Sequence, residues 1–187
     1  KEGRWEAEGA MWLEPDCNIS SGESLIRHII YGRRFFEQEL GAEKNEVLWL
    51  PDVFGYSAAL PQILQKSGIP YFMTTKIGWN EFNRFPHDTF LWKGIDGTEV
   101  LTHLISTRNY QKPGDLKMVG NHSTTYNGLQ NASQLMGTWQ RYQDKDVSTE
   151  VLTCYGYGDG GGGPTEEMLE HRTLRTVLPY PLHRKLL

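Results

Sequence analysis

Short apolar runs alternate along this chain with segments of helical periodicity, and this alternation constrains the fold more than any other feature of the sequence. Ser20–Glu23 has the Ser-x-x-Glu spacing of a helix-capping box, apolar residues recur at helical spacing over 25–40, and Gly41 supplies a C-terminal stop. Val47–Leu50 is a continuous apolar run of the kind that buried parallel strands show. Strand, polar turn and helix in repeated succession predict an α/β architecture with a parallel sheet or barrel.

The rest of the chain continues this pattern and adds one hairpin. Asp96-Gly97 between two apolar runs predicts a type I′ hairpin turn. Residues 106–128 are polar, with Gly, Pro and Asn throughout, which predicts a surface loop. The other predicted elements are a helix over Ala58–Lys66 closed by Gly68, a strand over Tyr71–Lys76, hairpin strands over Phe90–Trp92 and Val100–Leu104, a helix over Gln134–Tyr142, a strand over Val151–Tyr155 and a helix from Glu166.

Composition argues against several classes of partner. A net charge of −4 disfavours binding to nucleic acid or to an anionic membrane, because neither attracts an acidic protein. No apolar run approaches the roughly 18 residues of a membrane helix, and residues 1–10 are charged rather than signal-like. Cys17 and Cys154 are too few for a disulfide scaffold and fit no zinc ribbon or CxxC pair. We expect one soluble, cytoplasmic domain of 187 residues, with a homo-oligomer left open.

Three ionisable side chains follow predicted strands, where parallel α/β folds gather their ligands. Asp52 follows Val47–Leu50, Lys76 closes the next strand, and Asp159 follows Val151–Tyr155. A carboxylate at such a position can act as nucleophile, general acid or metal ligand. Asp is also a frequent helix N-cap residue, and position alone leaves that alternative open for both aspartates.

Four consecutive glycines, Gly160–Gly163, come directly after Asp159. The run lacks the Lys-Ser/Thr of a Walker loop and the spacing of a dinucleotide-binding fingerprint, which argues against a nucleotide site. Successive glycines cost conformational entropy, which indicates that a ligand or another backbone passes close by. The run therefore favours the floor of an active site, with a flexible linker as the alternative.

Four segments together resemble the α-mannosidases of glycoside hydrolase family 38, most closely the bacterial and cytosolic branch. The resemblance extends over about residues 3–170, with the segments in order. It implies that 1–170 is part of an N-terminal catalytic domain, a seven-stranded parallel (β/α) barrel incomplete here at both ends, and that 171–187 is an atypical tail. The segments are Trp12–Asn18, Ser21–Leu25, Leu50–Gln62 and Gly156–Thr165.

The resemblance also implies an activity. Members of the family are zinc-dependent retaining enzymes that hydrolyse terminal α-D-mannosyl residues of oligosaccharides. By this resemblance Asp52 is the catalytic nucleophile and a zinc ligand, and Asp159 is the general acid/base. Phe54 is expected to pack beside the bound sugar, and Lys76 is expected to be a basic substrate-binding residue near the nucleophile. Asp16 lies in an acidic segment to which no role is assigned.

These assignments agree with the chemistry of glycoside hydrolysis. A retaining enzyme needs one carboxyl to attack the anomeric carbon and a second, about 5–5.5 Å away, to protonate the leaving oxygen. Zinc at Asp52 would keep that carboxylate ionised and orient the mannosyl hydroxyls. Asp159 must begin protonated, which a partly desolvated strand end could arrange.

The sequence departs from the family at the metal site. It contains no His-x-Asp pair, its histidines show no metal-ligand spacing, and a further histidine ligand is expected beyond the glycines. Only Asp52 is present of four expected zinc ligands, so the ligand set is incomplete. Two alternatives stay open: a catalytically incomplete fragment that acts at most as a carbohydrate-binding module, and a metal-dependent hydrolase resembling polysaccharide deacetylases.

Overall fold

The computed structural model describes residues 6–42, 44–80, 82–112 and 123–174 and forms two compact units. Unit 1 comprises Lys1–Ile77 and Thr89–His103, and unit 2 comprises Gly78–Asp88 and Leu104–Leu187. None of the helices in the described ranges has the length and apolar character needed to cross a bilayer. Residues 113–122 of the predicted loop and 175–187 of the expected tail lie outside the described residues.

Helix α1 spans Gly22–Leu40 in unit 1, close to its predicted limits. Ser21 caps it from extended backbone, and its Oγ accepts a hydrogen bond from the Ser24 N–H at 3.2 Å. The cap therefore lies one residue beyond the predicted capping box. The Glu23 carboxylate forms an ion pair with Arg27, one turn further along the helix. Gly41 ends the helix in the left-handed conformation, at φ 69°, as predicted.

A four-stranded sheet lies in unit 1, with the strand order β1–β2–β4–β3. The parallel pair β1–β2 sets Leu48 opposite Phe72, and both residues are buried. Helix α2 (Leu60–Lys66) has Pro61 in its first turn, as predicted, and contributes Leu60 and Leu64 to the same core. The strands are β1 (Val47–Trp49), β2 (Tyr71–Thr74), β3 (Thr89–Lys93) and β4 (Glu99–Leu104).

The prediction that the chain forms part of a seven-stranded parallel (β/α) barrel is wrong, because the described strands form an open, mixed sheet. The first reason is the hairpin: β3 and β4 pair antiparallel through a tight turn, which leaves no room for the helical crossover that a parallel pair needs. The second is that Val151–Tyr155 forms no strand and contributes only an isolated bridge between Tyr155 and Gly128.

The β3–β4 hairpin is confirmed, but its predicted type I′ turn is wrong. A type I′ turn needs positive φ at both central residues. Here the Gly97 N–H donates to the Gly94 carbonyl at 3.0 Å, and Gly97 alone in this turn has a positive φ, of 86°. The Asp96 carboxylate fixes the longer turn by accepting hydrogen bonds from the Thr98 N–H at 3.0 Å and the Thr98 hydroxyl at 2.7 Å.

Unit 2 contains helices α3 (Ala132–Arg141) and α4 (Glu166–Leu174). Helix α3 begins two residues earlier than predicted, because the Asn131 side chain caps it by accepting from the Gln134 N–H at 3.0 Å. Helix α4 begins at Glu166, as predicted, and extends into the expected 171–187 tail.

The predicted surface loop over 106–128 is wrong in part. Ser106, Thr107 and Thr124 are buried. The Thr125 N–H donates to the Thr107 carbonyl at 2.8 Å, so the polar backbone of this segment is paired inside unit 2 rather than with water.

Candidate active site

Asp52 and Lys76 meet at the carboxyl ends of two adjacent parallel strands. β1 ends at Trp49, shortly before Asp52, and Lys76 opens a short 3₁₀ turn (Lys76–Gly78) just after β2. Because β1 and β2 run parallel, their carboxyl ends lie at one edge of the sheet. The Lys76 Nζ lies 2.9 Å from the Asp52 Oδ1. The structure therefore brings together two of the four predicted site residues.

The two charges of this pair are unequally buried. The Lys76 side chain is 6% exposed and the Asp52 side chain is 33% exposed. A buried charge needs a compensating partner, whereas a carboxylate that still meets water is partly compensated by solvent. The ammonium of Lys76 therefore depends on Asp52 more than Asp52 depends on it.

Phe54 is the third predicted site residue that lies beside the Asp52–Lys76 pair. The Lys76 Nζ lies 4.9 Å from the centroid of the Phe54 ring, within cation–π range. Phe54 is nevertheless 71% exposed. An exposed ring beside a charged pair can contact the apolar face of a ligand while the charges bind its polar groups.

Tyr56 holds the loop that carries Asp52, a role that no sequence pattern indicated. Its hydroxyl donates to the Leu50 carbonyl at 2.9 Å and therefore accepts from the Thr74 hydroxyl at 2.6 Å. Its ring packs edge-on against Phe72, with 4.8 Å between centroids. Burial raises the pKa of Tyr56 above its ordinary value. These contacts fasten the loop after β1 to the end of β2.

The acidic segment of the resemblance lies beside the same loop. Cys17 forms a parallel bridge with Tyr56. The Asp16 carboxylate accepts hydrogen bonds from the backbone N–H groups two and three residues later, at 2.8 and 2.9 Å. This is an Asx turn, so the structure gives Asp16 a part in shaping the segment.

Glu14 is a carboxyl near Asp52 that sequence reasoning missed. Its pKa is raised: partial desolvation raises it, a hydrogen bond from the Asp52 backbone lowers it, and the negative charge of the Asp52 side chain raises it. Glu14 is far from Asp52 along the chain, so no local spacing could have connected them. Two carboxyls and one ammonium therefore share this edge of the sheet.

The helix-cap alternative is wrong for both aspartates. Helix α2 begins at Leu60, with Ala59 in the cap position, and helix α4 begins at Glu166. Asp52 and Asp159 therefore lie in loops well before either helix.

Asp159 lies in unit 2, where two side chains hold its carboxylate. The Tyr126 hydroxyl donates to Oδ1 at 3.2 Å, and the Asn127 amide donates to Oδ2 at 3.1 Å. Asp159 also has left-handed backbone, at φ 52°, which is uncommon outside glycine. Sequence reasoning missed Tyr126 and Asn127, because they lie in the segment that was predicted to be a plain surface loop.

The glycines after Asp159 form the tip of a small antiparallel turn. Tyr157 and Gly163 exchange both backbone hydrogen bonds, at 2.7 and 2.8 Å. Gly160–Gly163 all have positive φ, between 65° and 127°. The backbone conformation favours glycine at these positions. The sequence predicted that a ligand or another backbone passes close by, and the Tyr157 backbone, paired with Gly163, is such a backbone.

The described residues do not fit the zinc site that the resemblance implies. Within the described ranges, no group of three His, Cys, Asp or Glu side chains is placed to hold a metal ion, whereas zinc sites use three or four protein ligands. Asp52, the one expected ligand in the sequence, is paired with the Lys76 ammonium. We therefore derive no step of a reaction through zinc.

Comparison with known proteins identifies relatives along nearly all of the chain. The model of the glycosyl hydrolases family 38 N-terminal domain matches residues 1–178. Alpha-mannosidase G of Dictyostelium discoideum is 44% identical over 172 residues, which are 92% of this chain and 14% of that protein. Alpha-mannosidase of Saccharomyces cerevisiae is 42% identical over 178 residues, which are 95% of this chain and 15% of that protein. The chain thus spans about one-seventh of the length of these relatives.

A solved structure shares the fold. The crystal structure of an alpha-mannosidase from Enterococcus faecalis V583 matches 91% of this chain and 18% of that chain with a TM-score of 0.60. The sequence identity is 17%, so this likeness concerns the fold alone. The two curated relatives named above are eukaryotic, and the expected bacterial branch is not confirmed. Because the family model covers residues 1–178 and both relatives exceed 40% identity, the chain belongs to glycosyl hydrolase family 38, a family of glycoside hydrolases, and lies in its N-terminal domain.

Proposed function

We propose that the protein containing this chain is an α-mannosidase that removes terminal, non-reducing α-D-mannosyl residues from oligosaccharides with retention. The observation that carries the proposal is the Asp52–Lys76 pair, 2.9 Å apart at the carboxyl edge of a parallel strand pair, in a chain 44% identical to an alpha-mannosidase. The proposal concerns the longer protein, since this chain covers 14–15% of the two relatives.

In this proposal Asp52 is the nucleophile. The Lys76 ammonium lies against Oδ1 and balances the charge of the carboxylate, which attacks the anomeric carbon of the mannosyl residue. Phe54 presents its exposed ring to the apolar face of the sugar. The attack breaks the glycosidic bond and forms a mannosyl ester with Asp52, which water hydrolyses in the second step.

Asp159 is proposed as the general acid/base. It protonates the leaving oxygen in the first step and takes a proton from the attacking water in the second. The hydrogen bonds from Tyr126 and Asn127 orient the carboxyl, and because they favour its ionised form they support the base role in the second step most directly.

Hydrolysis of an aryl α-mannoside by the full-length protein tests the nucleophile. We expect Asp52→Asn to lower kcat by roughly a thousandfold or more, because the amide cannot form the ester. The matched control is Asp146→Asn, at an exposed position in unit 2, which should leave the rate unchanged. Full activity in Asp52→Asn would remove the nucleophile assignment.

Two further arms of the same assay test the finer claims. The first mannose released should be the α-anomer by proton NMR if the configuration is retained, and the β-anomer if it is inverted. Parallel assays with added zinc and with a chelator test the zinc requirement that the family resemblance implies.

A non-catalytic carbohydrate-binding role is the second candidate. The exposure of two aromatic rings in unit 1 favours it, since Phe54 is 71% and Trp12 56% exposed. This role predicts that the full-length protein binds mannosides without hydrolysing them, and that Asp52→Asn leaves the binding unchanged. Calorimetric titration with a mannoside, next to the hydrolysis assay, separates the two candidates.

We also propose a cytoplasmic location and leave self-association as a prediction. Both cysteines are free thiols, and burial raises the pKa of the Cys17 thiol to about 11, which keeps it unreactive. Reduced, unreactive thiols suit a reducing compartment. Cell fractionation tests the location, and light scattering of the purified protein tests the oligomeric state.

A further inference from the structure

A group of three arginines in unit 2 has no part in the proposed hydrolysis. Arg84, Arg108 and Arg141 come from three separate segments. Arg141 lies innermost, with 4% of its side chain exposed, and Arg84 is open to solvent, with 34% of its side chain exposed. Arg108 is half-buried.

The innermost arginine is paired with one carboxylate but keeps an unused donor. The Arg141 Nη1 lies 3.1 Å from Asp88 Oδ1 and 3.3 Å from Oδ2. The Gln143 backbone N–H also donates to the Asp88 carboxylate, at 2.8 Å. The Nε of Arg141 is buried and has no hydrogen-bond partner within the described part of the chain. A buried donor without an acceptor is costly, so this Nε can accommodate an acceptor oxygen of a bound anion.

Arg84 reaches the same place from the loop before Asp88. Its Nη2 lies 4.0 Å from Asp88 Oδ2, and its guanidinium donates to the Arg141 carbonyl. Two guanidinium groups therefore share the single carboxylate of Asp88. Burial, followed by repulsion from Arg141, lowers the pKa of Arg84 to about 10.

Arg108 approaches from the segment that packs along helix α3. The Tyr110 N–H donates to the Ser133 carbonyl at 2.9 Å, and a Cβ on Gly137 would lie 2.1 Å from the Arg108 carbonyl. Gly137 is one helical turn before Arg141 and on the same face, so the Arg108 backbone lies against the face of α3 that carries Arg141. Burial and this neighbouring charge lower the pKa of Arg108. No carboxylate among the described residues forms an ion pair with it.

Among the described residues, the charges of this cluster do not balance. Lys145 adds a fourth cation, above the Trp139 ring at 5.2 Å from its centroid. Asp144 adds the second carboxylate, which accepts from His87 Nδ1 at 2.7 Å and from the Asp88 backbone N–H at 2.6 Å. The two carboxylates of Asp88 and Asp144 therefore face four cations: Arg84, Arg108, Arg141 and Lys145.

We propose that this arginine cluster is a binding site for a dianionic phosphate group, either free or carried as a phosphate monoester. A dianion would neutralise the two excess charges and reduce the repulsion among the guanidinium groups. Guanidinium donors match the oxygens of a phosphate, and the orphan Nε of Arg141 adds one donor at the base of the site. The proposal is independent of the α-mannosidase proposal, since it uses none of the same residues.

Calorimetric titration of the 187-residue chain with inorganic phosphate, at constant ionic strength in chloride, tests the site. We expect one phosphate to bind per chain, with a dissociation constant on the order of 0.1–1 mM. Arg84→Gln and Arg108→Gln should each weaken binding at least tenfold, because each removes one guanidinium charge from the cluster. Arg34→Gln, at an exposed position of α1, is the matched control and should bind as the unaltered chain does. Absence of binding, or equal weakening in Arg34→Gln, would overturn the proposal.

A chemical measurement on the unaltered chain avoids dependence on the folding of variants. Phenylglyoxal modifies accessible arginines, and peptide mass spectrometry locates the modified residues. Phosphate should protect Arg84 and Arg108 but not Arg34, and lack of selective protection would contradict the site. Repeating the titration with a hexose 6-phosphate distinguishes the source: tighter binding than inorganic phosphate indicates a sugar ester, and equal binding indicates free phosphate.

Discussion

In the ion pair of Lys76 with Asp52, the cation is the more buried partner. At the level of single residues, this predicts different losses of stability when either partner is replaced. Asp52→Ala removes the carboxylate that is paired with an ammonium only 6% exposed. We expect it to lower the free energy of unfolding by about 2–3 kcal/mol. Lys76→Met leaves a carboxylate that is still one-third exposed, so its cost should be below about 1 kcal/mol. Urea unfolding of the chain measures both.

The double variant Asp52→Ala/Lys76→Met supplies the control for this asymmetry. Removing Lys76 together with Asp52 also removes the buried charge, so the double variant should regain most of the stability that Asp52→Ala loses. If Lys76→Met proves the more damaging single change, the burial argument is incorrect.

Tyr126 and Asn127 allow a second prediction at the residue level. In the full-length protein, Tyr126→Phe and Asn127→Ala should each lower kcat about tenfold with little change in KM, because each removes one hydrogen bond that orients Asp159. The loss should be smaller for substrates with good leaving groups, which need less help from an acid. Tyr157→Phe, at an exposed tyrosine of the same loop, is the matched control. Equal losses for good and poor leaving groups would remove Asp159 from the acid role.

At the level of elements, the contact between helix α1 and the segment before it depends on a single glycine. A Cβ on Gly32 would lie 2.4 Å from the Met11 backbone, and the Trp12 N–H donates to the His28 carbonyl at 2.9 Å in the same contact. Gly32→Ala should therefore destabilise the chain by about 2–3 kcal/mol, because the backbones must separate. Thermal unfolding measures it.

Gly41 supplies the comparison for Gly32. It has a left-handed φ of 69°, and a Cβ there would meet nothing within 4 Å. Gly41→Ala should therefore cost only about 1 kcal/mol of backbone strain. A larger loss at Gly41 than at Gly32 would show that strain matters more than close packing in this helix.

The elements that local signals define could be predicted, and those that depend on distant partners could not. The end of α1 follows from Gly41 and its start lies one residue beyond the predicted capping box, while the hairpin follows from Asp96-Gly97. The sheet order places β4 between β2 and β3, which no local pattern states. The apolar run Val151–Tyr155 looks like a strand by composition, but it has only an isolated bridge to Gly128 in the described structure.

The same division applies to the candidate site. Asp52, Phe54 and Lys76 were selected from strand ends and family resemblance, and the structure brings them together. Tyr56 and Glu14 act through tertiary contacts with the loop after β1, so only the structure could reveal them. Prediction from sequence therefore selected three residues that lie together and missed those that hold their loop in place.

At the level of the whole molecule, stability should decline in alkali. Burial raises the pKa of Cys17 from 9.0 to about 11, so the thiol remains protonated in the folded chain at a pH where the unfolded chain has lost the proton. Stability is therefore complete below about pH 9 and falls as pH rises toward 11, by about 2–3 kcal/mol from this group. Tyr56, whose pKa burial also raises, adds to the loss above about pH 10.

Urea unfolding at a series of pH values between 8 and 11 measures this decline. Cys17→Ala should flatten the decline above pH 9, and Tyr56→Phe should flatten it above pH 10. Tyr71→Phe, at an exposed tyrosine, should leave the slope unchanged. If the free energy of unfolding declines equally with pH in the unaltered chain and all three variants, other groups control the loss of stability in alkali.

The run of positive φ angles from Asp159 to Gly163 also has a genetic consequence. Every nucleotide change outside the third position of a glycine codon replaces the residue, and each replacement would introduce a side chain where the backbone has left-handed geometry. The stretch of gene that encodes Gly160–Gly163 should therefore accept synonymous changes more readily than any others. That constraint would hold whichever ligand the loop faces, because it arises from the chirality of the chain itself.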